Sequence, residues 1–153
     1  MFVKTEDDRK KLIEAVLKLD LEKGPWIITP SKFKRDRSAA QRRLQHMWYT
    51  ALGKCTGEGK EHIANYCKWT YGCPIVAEKH KDFAEFYDHM INHYTYEQCV
   101  AAMEYTQVTS AGLMDVAMNA QYLDHINAYA AERGCQLPQP EHVYYEAMGL
   151  GDE

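Results

Sequence analysis

One segment of this chain, residues 38–53, restricts most strongly what the rest can form. Ser38 with Gln41 three positions later is a capping box, in which the two side chains satisfy backbone N–H groups at a helix start. Gly53 is a typical residue just past a helix end. Apolar residues between them recur at helical spacing: Leu44, Met47, Trp48, Ala51 and Leu52. We predict a helix that buries this face against other elements and carries polar residues on its other faces: Arg42, Arg43, Gln45, His46 and Tyr49.

The remaining segments predict further helices and a small sheet near the N-terminus. The bulky runs 2–5 and 26–29 predict strands, and residues 106–112 predict a loop or a short strand. Helices are predicted from Asp7 or Asp8 to the Gly24-Pro25 break, over 59–70 with a stop at Gly72-Cys73-Pro74, and over 80–92, 95–103, 115–133 and 141–148. The predicted fold class is α+β, mostly helical with a small N-terminal β-sheet. Residues 1–153 form one domain in this prediction, with a strand–helix–strand and basic loop (1–36), a basic helical segment (37–79) and an acidic helical segment (80–153).

The composition excludes several classes of protein. Apolar residues make up 46% of the 153 residues and charged residues 26%, which is ordinary for a folded domain. No apolar run approaches the roughly 20 residues that a membrane helix needs, and the first residues do not form a secretory signal. The five cysteines, at 55, 67, 73, 99 and 135, are odd in number and scattered. They predict free thiols and a cytoplasmic location.

Charge is distributed unevenly along the chain. Residues 24–81 hold eleven basic and four acidic residues, a net of +7, whereas residues 82–153 hold one basic and twelve acidic residues, a net of −11. This asymmetry indicates that the basic middle contacts a polyanion. The alternative is that the two halves face each other within the fold or within a dimer.

The densest basic run, residues 32–43, passes from a loop into the helix that begins at Ser38. Free N–H groups at a helix start and nearby guanidinium groups both suit phosphate. We therefore predict DNA contacts from this run and from the lysines after it: Lys32, Lys34, Arg35, Arg37, Ser38, Gln41, Arg42, Arg43, Lys54, Lys60 and Lys68. Trp69 and Tyr71 are predicted to stack on bases of a single strand. The alternatives are a solvated cationic surface and, for Trp69, a place in the core.

No arrangement of residues indicates a catalytic centre, a cofactor or a metal site. Cys55, His62, Cys67 and Cys73 lack the paired spacing of zinc ligands, and Glu85, His89 and His93 lack the order of a zinc protease. A nuclease needs clustered carboxylates near the basic run. Asp36, Glu58 and Glu61 are close in sequence, and Asp115 or Asp124 would have to join them through folding.

Several motifs together resemble the NinB/Orf family of lambdoid-phage recombination proteins. The motifs span most of residues 24–147: Trp26-Ile27-Ile28-Thr29, Arg37-Ser38-Ala39-Ala40-Gln41, Trp48, Tyr122-Leu123-x-x-Ile126 and Gly134-x-x-Leu137-Pro138-x-Pro140-Glu141. Arg42 stands where the family usually has asparagine. The resemblance implies a small α+β homodimer that binds single-stranded DNA without sequence preference.

The function that the resemblance implies is that of a recombination mediator in a phage or prophage. Such a protein is not an enzyme, and it assists a recombinase to load onto strands coated with single-strand-binding protein in the bacterial host cytoplasm. Two alternatives stay open. One is a metal-dependent nuclease or resolvase acting on recombination intermediates, and the other is a protein-interaction module whose acidic half contacts a basic partner.

Overall fold

The computed structural model describes residues 5–24, 37–140, 143, 144 and 147. The chain divides into two compact units, residues 1–35 and 36–153. The predicted boundary between the N-terminal and the basic helical segments, at residues 36 and 37, lies one residue from this division. Within the described ranges, no helix combines the length and the apolar character needed to cross a membrane.

The described part of the N-terminal unit is mostly helical, but the helix that was predicted to continue to the Gly24-Pro25 break ends at Leu17. Helix α1 (Glu6–Leu17) is followed by a 3₁₀ turn over Leu21–Lys23. Exposed ion pairs join Arg9 to Glu6 at 2.6 Å and Lys11 to Asp7 at 2.7 Å. Pairs of this kind on a helix surface each contribute about 0.3–0.5 kcal/mol, so they support α1 only weakly.

The C-terminal unit is a bundle of short helices. They are α2 (Arg37–Thr56), α3 (Lys60–Cys67), a π-helical turn (Lys68–Gly72), α4 (Cys73–Lys79), α5 (Lys81–His93), α6 (Tyr96–Ala102) and α7 (Val116–Glu132). Helix α2 packs against α3 and α7, and α4 packs against α5. Residues 143, 144 and 147 are helical, while the rest of the predicted terminal helix lies outside the described residues.

Side-chain caps fix the starts of two predicted helices, and both predictions are confirmed. At α6 the Thr95 hydroxyl accepts from Gln98 N, and the Gln98 side chain accepts from Thr95 N, which is a complete capping box. At α7 the Asp115 carboxylate accepts from Met118 N at 2.8 Å. Gly134 follows α7 with φ +68, a conformation that favours glycine.

The predicted α+β fold is wrong for the part of the chain that the structure describes. Residues 5–24 and 37–140 form helices, turns and loops without a strand, and residues 106–112 form turns and loop. Apart from Thr5, the predicted strands at 2–5 and 26–29 lie outside the described residues. Contacts between helices close the core of the C-terminal unit, so no described segment needs a sheet partner. A short apolar run also cannot distinguish a strand from a buried helical segment.

The core of the C-terminal unit forms where α2, α3 and α7 meet. Predicted core residues Leu44, Trp48 and Leu52 of α2 are each no more than 1% exposed. They meet side chains that are equally buried: Ile63 and Cys67 of α3, and Met118, Tyr122, Leu123, Ile126 and Ala130 of α7. The Trp48 indole N–H donates to Pro138 O at 2.8 Å. This bond attaches the segment after α7 to the side of α2.

Neither predicted end of α2 matches the structure. The helix already includes Arg37, so Ser38 lies inside its first turn, and the Gln41 side chain donates to Val116 O and Ala147 O instead of capping. At the other end α2 continues through Gly53 to Thr56. Gly53 is needed for close approach of the chain, because a Cβ atom there would lie 2.6 Å from Gly59 C.

We expect Gly53→Ala to lower the free energy of unfolding by about 1–3 kcal/mol, the usual cost of an overpacked site. The clash is with backbone atoms of residues 59 and 60, which cannot move aside as a flexible side chain would. Gly112→Ala is the matched control, since a Cβ there meets nothing nearer than 4.0 Å. Urea denaturation of both variants checks the prediction, and equal stabilities would contradict it.

The predicted stop at Gly72-Cys73-Pro74 is also wrong, because α3 runs through the π-helical turn directly into α4. Cys73 N donates to Lys68 O, five residues back, in place of the usual bond to the fourth residue. Pro74 has no N–H to donate, and it lies at the start of α4, directly after the π-helical turn. The wider turn thus lets one helical rod pass through a sequence that normally breaks a helix.

Candidate nucleic-acid interface

Two adjacent depressions on the C-terminal unit share His46 and Lys60, and together we call them the basic groove. The first, of about 320 Å³, lies between α2 and α3. The second, of about 730 Å³, is bounded by the C-terminal half of α2, by Lys60 and by residues 136–138. The groove is lined by four basic residues, Arg42, Lys54, Lys60 and Lys68, and by two acidic ones, Glu61 and Glu104.

Helical periodicity explains why these cations line one surface. Residues four apart lie on neighbouring positions of a helix face. Arg42 and His46 have this spacing on α2, and Lys54 follows eight residues after His46. On the opposite wall, Lys60 and Lys68 are eight residues apart. The basic residues of two helices therefore face the same depression from opposite sides.

The cations at the rim of the groove are not neutralised by described carboxylates. Arg42, Arg43, Lys54 and Lys60 are all exposed. None of them has a described Asp or Glu oxygen within 4.0 Å, and the ion pairs found among the described residues all lie in the N-terminal unit. Within the described part of the chain, the acidic half therefore does not neutralise these cations.

Lys68 differs from the other cations of the groove. Its side chain is half-buried, and its Nζ donates to Met103 O at 3.2 Å, at the end of α6. Burial lowers the pKa of this amine, because desolvation disfavours the charged form. Lys68 thus links the π-helical turn to α6 and contributes less to binding an anion than Lys60 does.

A row of buried polar side chains underlies the groove. Gln45 Nε2 donates to Asn119 Oδ1 at 2.6 Å, and the Tyr49 and Tyr122 hydroxyls lie 2.7 Å apart. Gln41 Nε2, one turn earlier, donates to Val116 O at 2.9 Å. These hydrogen bonds fix α2 against α7 in one register, because buried polar groups are usually paired; the Gln41 Oε1 atom has no hydrogen-bond partner among the described residues. The basic residues of α2 are positioned by that register.

We expect Tyr49→Phe and Tyr122→Phe each to lower the free energy of unfolding by about 1–2 kcal/mol, because each leaves one buried hydroxyl unpaired. Both tyrosines are at most 3% exposed. The double variant removes both hydroxyls without a change of shape. We therefore expect it to lower the free energy of unfolding by no more than either single variant does. A double-mutant cycle by urea denaturation measures this coupling, and additive losses would contradict the paired arrangement.

The structure places the predicted DNA-contact residues in different environments. Gln41 is fully buried, and Trp69 is 5% exposed with its ring 5.0 Å from that of Tyr87, so neither side chain can contact DNA. Tyr71 is half-buried and stacked against His125 at 5.4 Å. Ser38 is half-buried, and Arg37 is the first residue of α2. Lys32, Lys34 and Arg35 lie outside the described residues, as does the Arg37 side chain.

The sequence missed two features of the groove. His46 was expected on a polar face but not as one of the two residues, with Lys60, that both depressions share. The wall formed by Gln136, Leu137 and Pro138 comes from a segment about eighty residues later in the chain, and no local pattern places it beside Lys54. Two long-range links reveal it in the structure: the bond from Trp48 to Pro138 O and the disulfide between Cys55 and Cys135.

The prediction of five free thiols is wrong for two of them, because Cys55 and Cys135 form a disulfide. Cys67, Cys73 and Cys99 are free and buried. Burial raises the pKa of Cys67 and of Cys73 to about 12, since desolvation disfavours the thiolate. These three thiols are therefore unreactive at neutral pH.

The residues weighed as metal ligands are not assembled into a site. Cys55 is bonded to Cys135, while the Cys73 Sγ lies against Met103 Sδ at 3.5 Å. His89 and His93 stack on each other at 4.2 Å on the exposed surface of α5. Among the described residues, no three histidine, cysteine, aspartate or glutamate side chains are close enough to hold a metal ion.

Comparisons with known proteins add no assignment. No family model, no curated protein and no solved structure matches this chain. The resemblance to the NinB/Orf family therefore stays a prediction that depends on the motifs quoted above.

Proposed function

We propose that this chain binds the sugar–phosphate backbone of single-stranded DNA along the basic groove, without sequence preference and without catalysing a reaction. The observation that supports this proposal is the set of exposed cations Arg42, Lys54 and Lys60, which line one groove without described carboxylate partners. Cations so arranged gain free energy by releasing the counterions of a phosphate chain.

Phosphate contacts, and not base stacking, carry the affinity in this proposal. Trp69 and Tyr71 are occupied by packing within the unit, and Tyr49 reaches the groove only from its buried floor. A protein that reads phosphates alone does not distinguish one base from another. The proposed lack of sequence preference follows from that.

The motif resemblance suggests where such binding is used. A recombination mediator of a phage or prophage brings a recombinase to single strands that are covered by single-strand-binding protein, in the host cytoplasm. In this proposal the chain acts there as a homodimer and needs no cofactor.

A comparison of DNA forms tests the proposed function. Affinity is measured for single-stranded, duplex and gapped DNA of equal length, at the same salt concentration, with and without Mg²⁺ or Mn²⁺. The motif resemblance implies the tightest binding to the single strand, since phosphate contacts alone do not favour it over the more highly charged duplex. We expect intact DNA in every sample. Equal affinity for duplex would contradict the strand preference, and cleavage that needs a divalent metal would favour the nuclease alternative.

A second candidate function is contact between the acidic half and a basic partner protein. It is favoured by exposed aromatic and apolar side chains on α5, on α6 and just after α6: Tyr105 is 85% exposed, Ile91 52% and Tyr96 50%. Glu97 and Glu104 are exposed in the same stretch of chain. Tyr105→Ser separates the two candidates, because it leaves DNA binding unchanged and weakens only a protein contact.

A further inference from the structure

The Cys55–Cys135 disulfide lies beside the larger depression of the basic groove. It connects α2 to the wall formed by residues 136–138. Cys55 is in the last turn of α2, next to Lys54, and Cys135 directly precedes the wall of residues 136–138. The two Cα atoms are 6.0 Å apart, although 80 positions separate the residues in sequence. The bond thus fixes the distance between two elements that are remote in the chain.

The remaining attachments of this wall are few. Trp48 donates to Pro138 O, Leu137 packs partly against the core, and Cys135 N donates to Ala130 O at 2.8 Å. The last of these bonds belongs to the end of α7 and does not hold the wall to α2. Among the described residues, the disulfide is the one covalent bond between side chains, and it joins the end of α2 to the residue directly before this wall.

We propose that this disulfide is a redox switch for the anion-binding groove, so that the oxidised protein binds a phosphate chain more tightly than the reduced one. The inference rests on the proposed function. A groove held at one width loses less conformational entropy when its ligand binds, which is the general advantage of preorganisation.

The two cysteines differ in access, and this sets the chemistry of the switch. Cys55 is exposed, whereas Cys135 is 7% exposed. The thiolate of a small-molecule thiol attacks Cys55 Sγ, the S–S bond breaks, and Cys135 leaves as a thiolate that takes up a proton. A second small thiol then attacks the mixed disulfide. Two small thiols are oxidised to one disulfide, and the protein gains two thiols.

The test compares the oxidised and the reduced full chain. Affinity for an oligothymidylate is measured after air oxidation and after reduction by dithiothreitol, with the redox state assigned by alkylation and mass spectrometry. We expect oxidised protein to bind about three- to tenfold more tightly. Cys55→Ser and Cys135→Ser should bind like the reduced protein under both conditions, while Cys99→Ala, which removes a buried free thiol, should keep the redox dependence.

Hydrogen exchange over residues 135–139 is the second readout, and it does not require DNA binding. We expect faster exchange in reduced protein than in oxidised protein. The switch is overturned if oxidation does not form the bond, or if exchange and affinity are equal in both states. If neither state binds the oligonucleotide while hydrogen exchange still differs, the proposed function is contradicted. The conclusion that the disulfide orders residues 135–139 is then still supported.

Discussion

Replacing Arg42 and Lys60 together by glutamate is expected to weaken binding of single-stranded DNA by about 30- to 100-fold at low salt. The two residues face each other across the narrower depression of the basic groove, from α2 and α3. The change removes two phosphate contacts and adds two charges that repel the ligand beside Glu61 and Glu104. Fluorescence anisotropy with a labelled oligonucleotide measures the loss.

The matched control for this variant is Lys81→Glu. Lys81 is an exposed lysine at the start of α5 and does not line the groove. It reverses one charge where the groove variant reverses two, so an effect of net charge alone would appear in the control at about half its size in the groove variant. Equal losses in the control and in the groove variant would contradict the assignment of binding to this groove. All three groove and control side chains are exposed, so the fold should be retained.

Alkaline pH is expected to destabilise the protein strongly, by about 3 kcal/mol at pH 10 and about 5 kcal/mol at pH 11. Cys67 and Cys73 have pKa values raised from 9.0 to about 12 by burial. Between those limits the unfolded chain releases thiol protons that the folded chain keeps. The stabilising contribution is therefore complete below pH 9 and is lost as the pH rises toward 12.

Buried tyrosines add to this loss. Burial raises the pKa of Tyr49 and of Tyr122 above the ordinary value of 10.0, so their hydroxyls also stay protonated in the folded state. Urea denaturation between pH 8 and 11 measures the trend. The variant with Cys67→Ala and Cys73→Ala is less stable at neutral pH because it has cavities, yet its stability should fall much less above pH 9. A flat profile for the natural chain would show that these thiols are not buried.

Much of the helical structure of the C-terminal unit could be predicted from local signals. The predicted helices over 80–92, 95–103 and 115–133 match α5, α6 and α7 within one or two residues. Caps such as Asp115 and breaks such as Gly134 act through nearby backbone groups, so they are visible in the sequence. The apolar face of α2 was visible for the same reason.

The failures arise where a contact outside the recognised motif overrides the signal of that motif. Gly53 looks like a helix end, but it is selected by the approach of Gly59. Gln41 looks like part of a cap, but it donates to α7 and to Ala147. Pro74 looks like a break, but a π-helical turn accommodates it. The partners of Gln41 lie 75 and 106 residues away. Gly59 and the π-helical turn are close in sequence, but their effect depends on how the chain folds back or widens there.

The candidate site was predictable in its charge but not in its shape. The count of basic residues in 24–81 indicated a polyanion, and it is Arg42, Lys54 and Lys60 that the structure brings to one groove. The sequence could not decide whether Trp69 and Tyr71 stack on bases or pack within the core, because exposed and buried rings have the same local spacing. Likewise, spacing alone could not show that Cys55 pairs with Cys135.

The salt dependence of binding tests the central claim most directly. The logarithm of the association constant for single-stranded DNA is measured against the logarithm of salt concentration, for the natural chain and for the variant with Arg42→Glu and Lys60→Glu. If about five phosphates are neutralised, the slope for the natural chain should be about −3 to −4, and it should be shallower by about 1.4 in the variant. A slope near zero for the natural chain, or an identical slope in the variant, would show that these cations do not bind a phosphate chain.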